Sequence, residues 1–135
     1  MTLDNLTPAN LCRAVVEGTT FGLRYGLDLL RAAGLHSQSI RLIGGGAKSL
    51  LWRQMVADIM HAPVICPREA EAAALGAAIQ AAWCHGRLDD PDLDLQQLCE
   101  RCVRLDPGSE TQPRAEHVAA YEPVYQRYRQ QLASL

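Results

Sequence analysis

The chain has 135 residues, 48% apolar and 21% charged, with a formal net charge of −2. That length suits one domain with a modest core, burying roughly two-thirds of its unfolded surface. Lys48 is the single lysine and the twelve arginines are scattered, so neither nucleic acid nor a membrane is an expected partner.

No basic leader runs into an apolar core, and no apolar run approaches a membrane span, so a cytoplasmic protein is expected. Five cysteines, at 12, 66, 84, 99 and 102, suit reduced thiols better than a disulfide framework. Cys99 and Cys102 form a C-x-x-C without a second pair, Cys84-His85 reads as incidental, and no metal ligand is assigned.

Residues 1–6 read as short and extended. Thr7-Pro8 then marks a helix entry, a hydroxyl cap followed by proline at the first helical position. The helix is expected over residues 8–33, with Leu11, Val15, Phe21, Leu29 and Leu30 as its apolar surface and Gly34 ending it. Gly18, Gly22 and Gly26 line one face, and each costs about 1 kcal/mol against alanine. Close packing on another backbone or on a flat ligand would account for them.

A β-α-β unit with parallel strands and a right-handed crossover is expected over residues 39–66. Its helix presents Trp52, Met55, Val56 and Ile59 as a buried stripe, with Arg53, Gln54 and Asp58 alongside. A helix over residues 69–84 follows, acidic at its start and then nearly all small residues, able to approach its neighbours closely. Residues 86–94 read as a surface loop. A helical tail is expected over residues 95–135: a short helix near 95–103, a loop from Asp106 to Pro113, and a last helix carrying Tyr121, Val124, Tyr125, Tyr128 and Leu132 on one face. Pro123 is expected to kink or split that helix.

The chemistry concentrates where the first strand meets its helix. Ile40 to Ile43 break into Gly44, Gly45 and Gly46, then Ala47, Lys48 and Ser49. Without Cβ atoms the backbone N–H groups can lie directly against an anion or nucleotide. A Walker A loop is excluded, because Ala47 and Leu42 stand where its two glycines belong, and a dinucleotide fingerprint fails at Ser49. Two readings stay open on local pattern: nucleotide or phosphate binding, and glycines that only let strand and helix turn sharply. Two strands are also too few for the small-residue helices around them, since buried parallel strands need neighbours. Part of the sheet is expected to come from outside this chain.

Several motifs in order carry a resemblance: Met1-Thr2, Arg13 to Gly18, Leu42 to Ser49, Trp52 to Asp58, Ala74 to Ala78 and the tyrosine-rich last helix. Over its whole length the chain resembles the C-terminal portion of the FGGY carbohydrate kinases, most closely the xylulokinases. The resemblance implies an α/β, partial actin-like ATPase domain of ribonuclease-H-like architecture, lacking the N-terminal half. It implies ATP with Mg²⁺ as phosphoryl donor and a sugar or polyol as acceptor. Gly45 and Gly46 are the implied nucleotide contacts, with Gly44, Ala47 and Ser49 beside them. Some relatives carry an Asn near the adenine where Leu50 stands here.

The general-base aspartate, the β- and γ-phosphate loop and the sugar site belong to the half that is not present, so no catalytic residue is assigned and the chain alone is expected to be silent. Asp4, Asp28 and Asp58 are not substitutes, and Glu17 reads as a structural hydrogen-bonding residue. Expected partners are ATP, the N-terminal half with its sugar, and a possible second copy in a homodimer. The alternatives are a non-catalytic remnant, a kinase for ribulose, gluconate or glycerol, and a remote redox or metal module at Cys99 and Cys102.

Overall fold

A computed structural model describes residues 5–69 and 71–134, so the expectation for residues 1–4 and the dismissal of Asp4 lie outside the described residues. Helix α1 spans Pro8–Ala32, close to the expected range. Thr7 caps it, its side chain accepting from the Asn10 N–H at 3.2 Å. At the other end Gly34 adopts φ +87°. Gly34 N–H donates to Arg31 O and Leu35 N–H to Leu30 O, both at 3.0 Å. These two bonds form a Schellman closure, which needs a left-handed residue after the helix.

Strand β1 (Ile40–Arg41) and strand β2 (Val64–Pro67) pair in parallel, Ile40 with Val64 and Arg41 with Ile65. Helix α2 (Leu50–Met60) connects them, so the β-α-β unit stands. Regular pairing in β1 is shorter than expected. One further bond, Leu42 N–H to Ile65 O at 3.0 Å, is made before the chain turns into the glycines. Helix α3 covers Ala72–Gly86, starting three residues later than expected. Before it, Arg68 N–H is drawn to Arg104 O at 2.9 Å and Glu69 turns back to take the Glu71 N–H. Helix α4 (Leu95–Cys102) is capped by Asp94, which accepts from Gln96 N–H at 2.8 Å.

The segment expected as a loop from Asp106 to Pro113 is instead largely a strand. Strand β3 runs Leu105–Thr111, antiparallel to β2, giving a sheet of order β1-β2-β3. Asp-Pro-Gly-Ser is turn-forming locally, and it enters the sheet as an irregular edge where proline needs no ladder bond. Cys66 faces Asp106 while Val64 faces Thr111, so the chain bulges between them. Ser109 repairs the ladder with its side chain, Oγ accepting from Cys66 N–H at 2.8 Å and donating to Asp106 O at 2.6 Å.

Helix α5 is continuous over Ala115–Leu132, and Pro123 does not split it. Pro123 faces solvent, while Tyr121 and Tyr125, two residues to either side, anchor the helix inward. The expected apolar stripe is narrower than the spacing suggested: Tyr121 and Tyr125 are buried, Tyr128 is half-buried, and Val124 and Leu132 are exposed.

Two apolar clusters share α2. Val56, Ala57 and Met60 pack with Leu42, Val64 and Cys66 against the sheet. Met55 and Ile59 pack with Phe21, Tyr121 and Tyr125 between α1 and α5. The ring of Phe21 meets that of Tyr121 edge-on, centroids 6.1 Å apart. Asp58 joins the two sides: fully buried, it accepts from Arg114 N–H at 2.8 Å, Arg114 Nη2 at 2.7 Å and Gln54 Nε2 at 2.9 Å, tying the start of α5 to α2.

Other surfaces stay open. On α1 only Phe21 of the five expected apolar residues is buried, and Val15 is 70% exposed. The glycine face does not meet close packing within this chain: Gly22 looks onto the Tyr128 hydroxyl, and Gly18 and Gly26 face open space. On α3 only Ile79 is buried, leaving the small-residue surface uncovered. β1 pairs on one side only among the described residues.

Candidate functional site

The glycine bend lies between β1 and α2, and the fold treats its three glycines differently. Gly44 has φ +86° and ψ −179°, a conformation essentially closed to side chains. Gly46 is backed by the Trp52 ring, on which a Cβ would collide. Trp52 does not yield easily, because its Nε1 donates to Thr20 Oγ1 at 3.0 Å, Thr20 is fully buried, and the ring packs against both apolar clusters. Gly45 has no positive φ, and a Cβ there would meet nothing within 4 Å. The fold therefore explains Gly44 and Gly46 and leaves Gly45 unexplained.

Gly45 to Lys48 form a single 3-10 turn, closed by Ala47 N–H to Gly44 O at 3.1 Å. The N–H groups of Gly44, Gly45 and Gly46 have no protein acceptor among the described residues, and all three residues are exposed. Ser49 caps α2 by accepting from Trp52 N–H at 3.3 Å, which occupies a lone pair and leaves its hydroxyl proton free. Ala47 rests on the sheet-side cluster. All five residues expected to hold the nucleotide thus fall on one short exposed turn.

A cleft opens on each side of the bend. The larger, about 630 Å³, lies between the first half of α1 and the start of α2, with Gly46 and Ser49 at its edge and Val15, Val16, Trp52 and Met55 among its mostly apolar walls. The smaller, about 250 Å³, lies at the carboxyl ends of β1 and β2. It is lined by Gly44 and Ala47 together with Lys48, Arg53, Arg68, Glu69 and Asp106. Ligands of open parallel sheets gather at this end of the strands.

At the rim of the larger cleft Arg13 Nε donates to Glu17 Oε1 at 2.8 Å, Tyr121 OH donates to the same oxygen at 2.9 Å, and Arg13 Nη2 donates to Tyr121 OH at 3.0 Å. Burial, and then the bond to Glu17, hold the Tyr121 hydroxyl above its ordinary range. Glu17 is engaged in joining α1 to α5, in keeping with a structural role. Asp28 is likewise engaged, accepting from Tyr125 OH at 2.6 Å. For Asp58, burial alone would raise the carboxyl, but its bonds from Arg114 and Gln54 outweigh burial and hold it below the usual range. Neither is a free base.

Sequence reasoning placed Trp52 in the core stripe and passed over Lys48 and Arg68; Arg53 it set beside that stripe without a role. A usable signal was present: parallel β1 and β2 bring the residues after each strand together, so Arg68 must lie near the bend. Cys99 and Cys102, on α4, are free thiols, as are the other three cysteines. Among the described residues no group of His, Cys, Asp and Glu is arranged to hold a metal ion, and no helix is long and apolar enough to cross a membrane.

Residues 2–85 match the FGGY family of carbohydrate kinases, C-terminal domain. The chain is 52% identical to xylulose kinase of Haemophilus influenzae over 132 residues, 98% of this chain and 26% of that protein. It is 36% identical to xylulose kinase of Escherichia coli over 131 residues, 95% of this chain and 26% of that protein. Its fold superposes on the ligand-bound xylulose kinase from Lactobacillus acidophilus with a TM-score of 0.77 at 25% identity, covering 93% of this chain and 24% of that one. The chain spans about a quarter of the length of the curated relatives it matches. Its open β1 edge and uncovered helix faces agree with that proportion. By its matched residues and its fold, this chain belongs to the FGGY family of carbohydrate kinases and represents that family's C-terminal domain.

Proposed function

We propose that this chain is the ATP-binding portion of a sugar kinase, a xylulokinase converting D-xylulose and ATP to D-xylulose 5-phosphate and ADP. The observation that carries the reading is Gly45, a bare residue that neither backbone conformation nor packing requires, flanked by unpaired N–H groups. A nucleotide resting there gives the missing Cβ its reason. The N–H groups of Gly44 to Gly46 donate to nucleotide oxygens, the Ser49 hydroxyl supplies one more proton, and the apolar cleft beside Trp52 shields the base from water. Bound ATP supplies the phosphoryl group, with Mg²⁺ screening its charge. Among the described residues no group of three or more His, Cys, Asp and Glu side chains comes together to hold a metal ion, and we assign the metal to the nucleotide phosphates and the rest of the kinase.

Glu17, Asp28 and Asp58 are each engaged in hydrogen bonds within the fold, and we assign deprotonation of the sugar hydroxyl, and the choice of sugar, to the upstream part. The chain alone is inactive on this reading, and it works in the cytoplasm, where ATP is made available. The open faces of α1 and α3 are taken up by the upstream part or by a second copy.

Calorimetry with ATP tests binding, and phosphorylation of xylulose, ribulose, gluconate and glycerol with and without the upstream part tests activity. ATP binding by the chain, with xylulose phosphorylation only in the completed protein, is expected. Absence of both leaves a non-catalytic remnant. Preference for another acceptor corrects the substrate alone.

A further inference from the structure

The smaller cleft points to a function that the glycine bend does not supply: we infer that Lys48, Arg53 and Arg68 form a phosphate-binding site, receiving phosphoryl groups of a nucleotide laid across the bend. The inference rests on the nucleotide reading only for the source of the phosphate.

Three cations line one cleft of about 250 Å³. Among the described residues, none of their side chains makes a salt bridge, and none donates a hydrogen bond to protein. Arg53 is the telling member. Its Nε–H is shut off from solvent and has no acceptor. That Nε–H is closed to an incoming oxyanion as well, but the two Nη groups of Arg53 also lack a protein partner among the described residues and are not shut off from solvent, so they are the donors an oxyanion in the cleft can take. Two carboxylates share the cleft, but each already takes a backbone N–H: Glu69 from Glu71 at 3.2 Å and Asp106 from Gly108 at 3.1 Å. Three cations against two occupied carboxylates leave the cleft net positive.

The larger cleft cannot play this part. Its walls are apolar and its one arginine, Arg13, is already paired with Glu17 at 2.8 Å. The two sides of the bend are therefore chemically divided, apolar where a base would lie and cationic where phosphates would. Guanidinium groups suit phosphate because their N–H donors are fixed in a fork, and they remain charged throughout the physiological range.

The test titrates the chain with adenosine, AMP, ADP and pyrophosphate by calorimetry at low and at higher salt. Lys48→Met, Arg53→Met and Arg68→Met are compared with Arg127→Met, which removes an exposed charge on α5 away from the cleft. Melting curves establish that each variant is folded. Lys48 and Arg68 are exposed, so their variants remain informative if Arg53→Met does not fold. ADP is expected to bind more tightly than adenosine. Each cleft variant is expected to weaken ADP and pyrophosphate about tenfold while sparing adenosine. Arg127→Met should change neither.

Cleft variants that bind ADP and pyrophosphate as the parent does would overturn the inference, as would an equal loss in Arg127→Met. Adenosine binding to which phosphates add nothing also overturns it, while leaving the nucleotide reading intact. Pyrophosphate binding that depends on Arg53, with no affinity for adenosine, supports the cleft and removes the nucleotide reading. If no probe binds, both fail.

Discussion

Adding a single methyl group at Gly46 and at Gly45 should separate folding from ligand binding at adjacent positions. In Gly46→Ala the new Cβ collides with the Trp52 ring. The ring is held by its bond to Thr20 and by packing on both apolar clusters, so relief must come from moving Trp52 or the bend. Overpacking of this kind costs about 1–3 kcal/mol. Losing the Trp52–Thr20 hydrogen bond, with Thr20 fully buried, adds about 1 kcal/mol. The sum, about 2–4 kcal/mol, is a large share of the roughly 5–15 kcal/mol that holds a domain together.

Gly45→Ala meets nothing within 4 Å and adopts no positive φ, so its stability should be unchanged or raised by about 0.4–1 kcal/mol through the unfolded chain. Its methyl group would instead stand where the nucleotide is to lie, and ATP affinity should fall about tenfold or more, a loss of about 1.4 kcal/mol. Urea denaturation followed by tryptophan fluorescence measures the first quantity and calorimetry the second. Equal destabilisation by the two substitutions would refute the sorting of the glycines. Unchanged ATP binding in Gly45→Ala would refute the assignment of the bend to the nucleotide.

Replacing Asp58 by Asn breaks a fully buried carboxylate away from Arg114, whose side chain is half exposed and can rehydrate, so a loss of about 2–3 kcal/mol is expected in denaturant titrations. Because the folded carboxyl is held below its ordinary range, its stabilisation is present above about pH 4 and is lost as pH falls through the folded value. Asp58→Asn should therefore flatten the acid limb of a stability–pH curve. His61 is pushed below its ordinary range by burial, and then by Arg24, with Glu122 opposing. Its contribution is present above about pH 6.5 and is lost as pH falls through the lowered folded value, and His61→Asn, which tolerates the left-handed φ of 53°, should remove that slope from thermal melts taken across the same range. Joined to its upstream part, the kinase should phosphorylate xylulose, and Gly45→Ala in that protein should raise KM for ATP more than it lowers kcat. A selective fall in kcat would assign Gly45 to the transition state instead.

What could be read from the chain alone was what is decided locally. Thr7-Pro8 and Gly34 announce the ends of α1 because caps and left-handed turns depend on a few neighbouring residues. The β-α-β order and the exposed glycine bend followed from apolar runs broken by residues without side chains, and the ordered motifs were enough for the family. The same local logic failed at β3, where Asp-Pro-Gly-Ser favours a turn and only pairing with β2 draws it into the sheet. It overreached at Pro123, which does not split α5; Tyr121 and Tyr125 are buried on either side of it.

The tertiary structure alone decided the rest, because it depends on residues far apart in the chain. Arg114 reaches Asp58 across 56 positions, and Trp52 is pinned by Thr20 across 32. That pinned ring shows that Gly46 is bare for packing, leaving Gly45 as the glycine free to serve a ligand. The cationic cleft was legible only in part: the expected parallel pairing already puts Arg68 near the bend, but that Arg53 on α2 and Lys48 line the same cleft with it is decided by the tertiary structure.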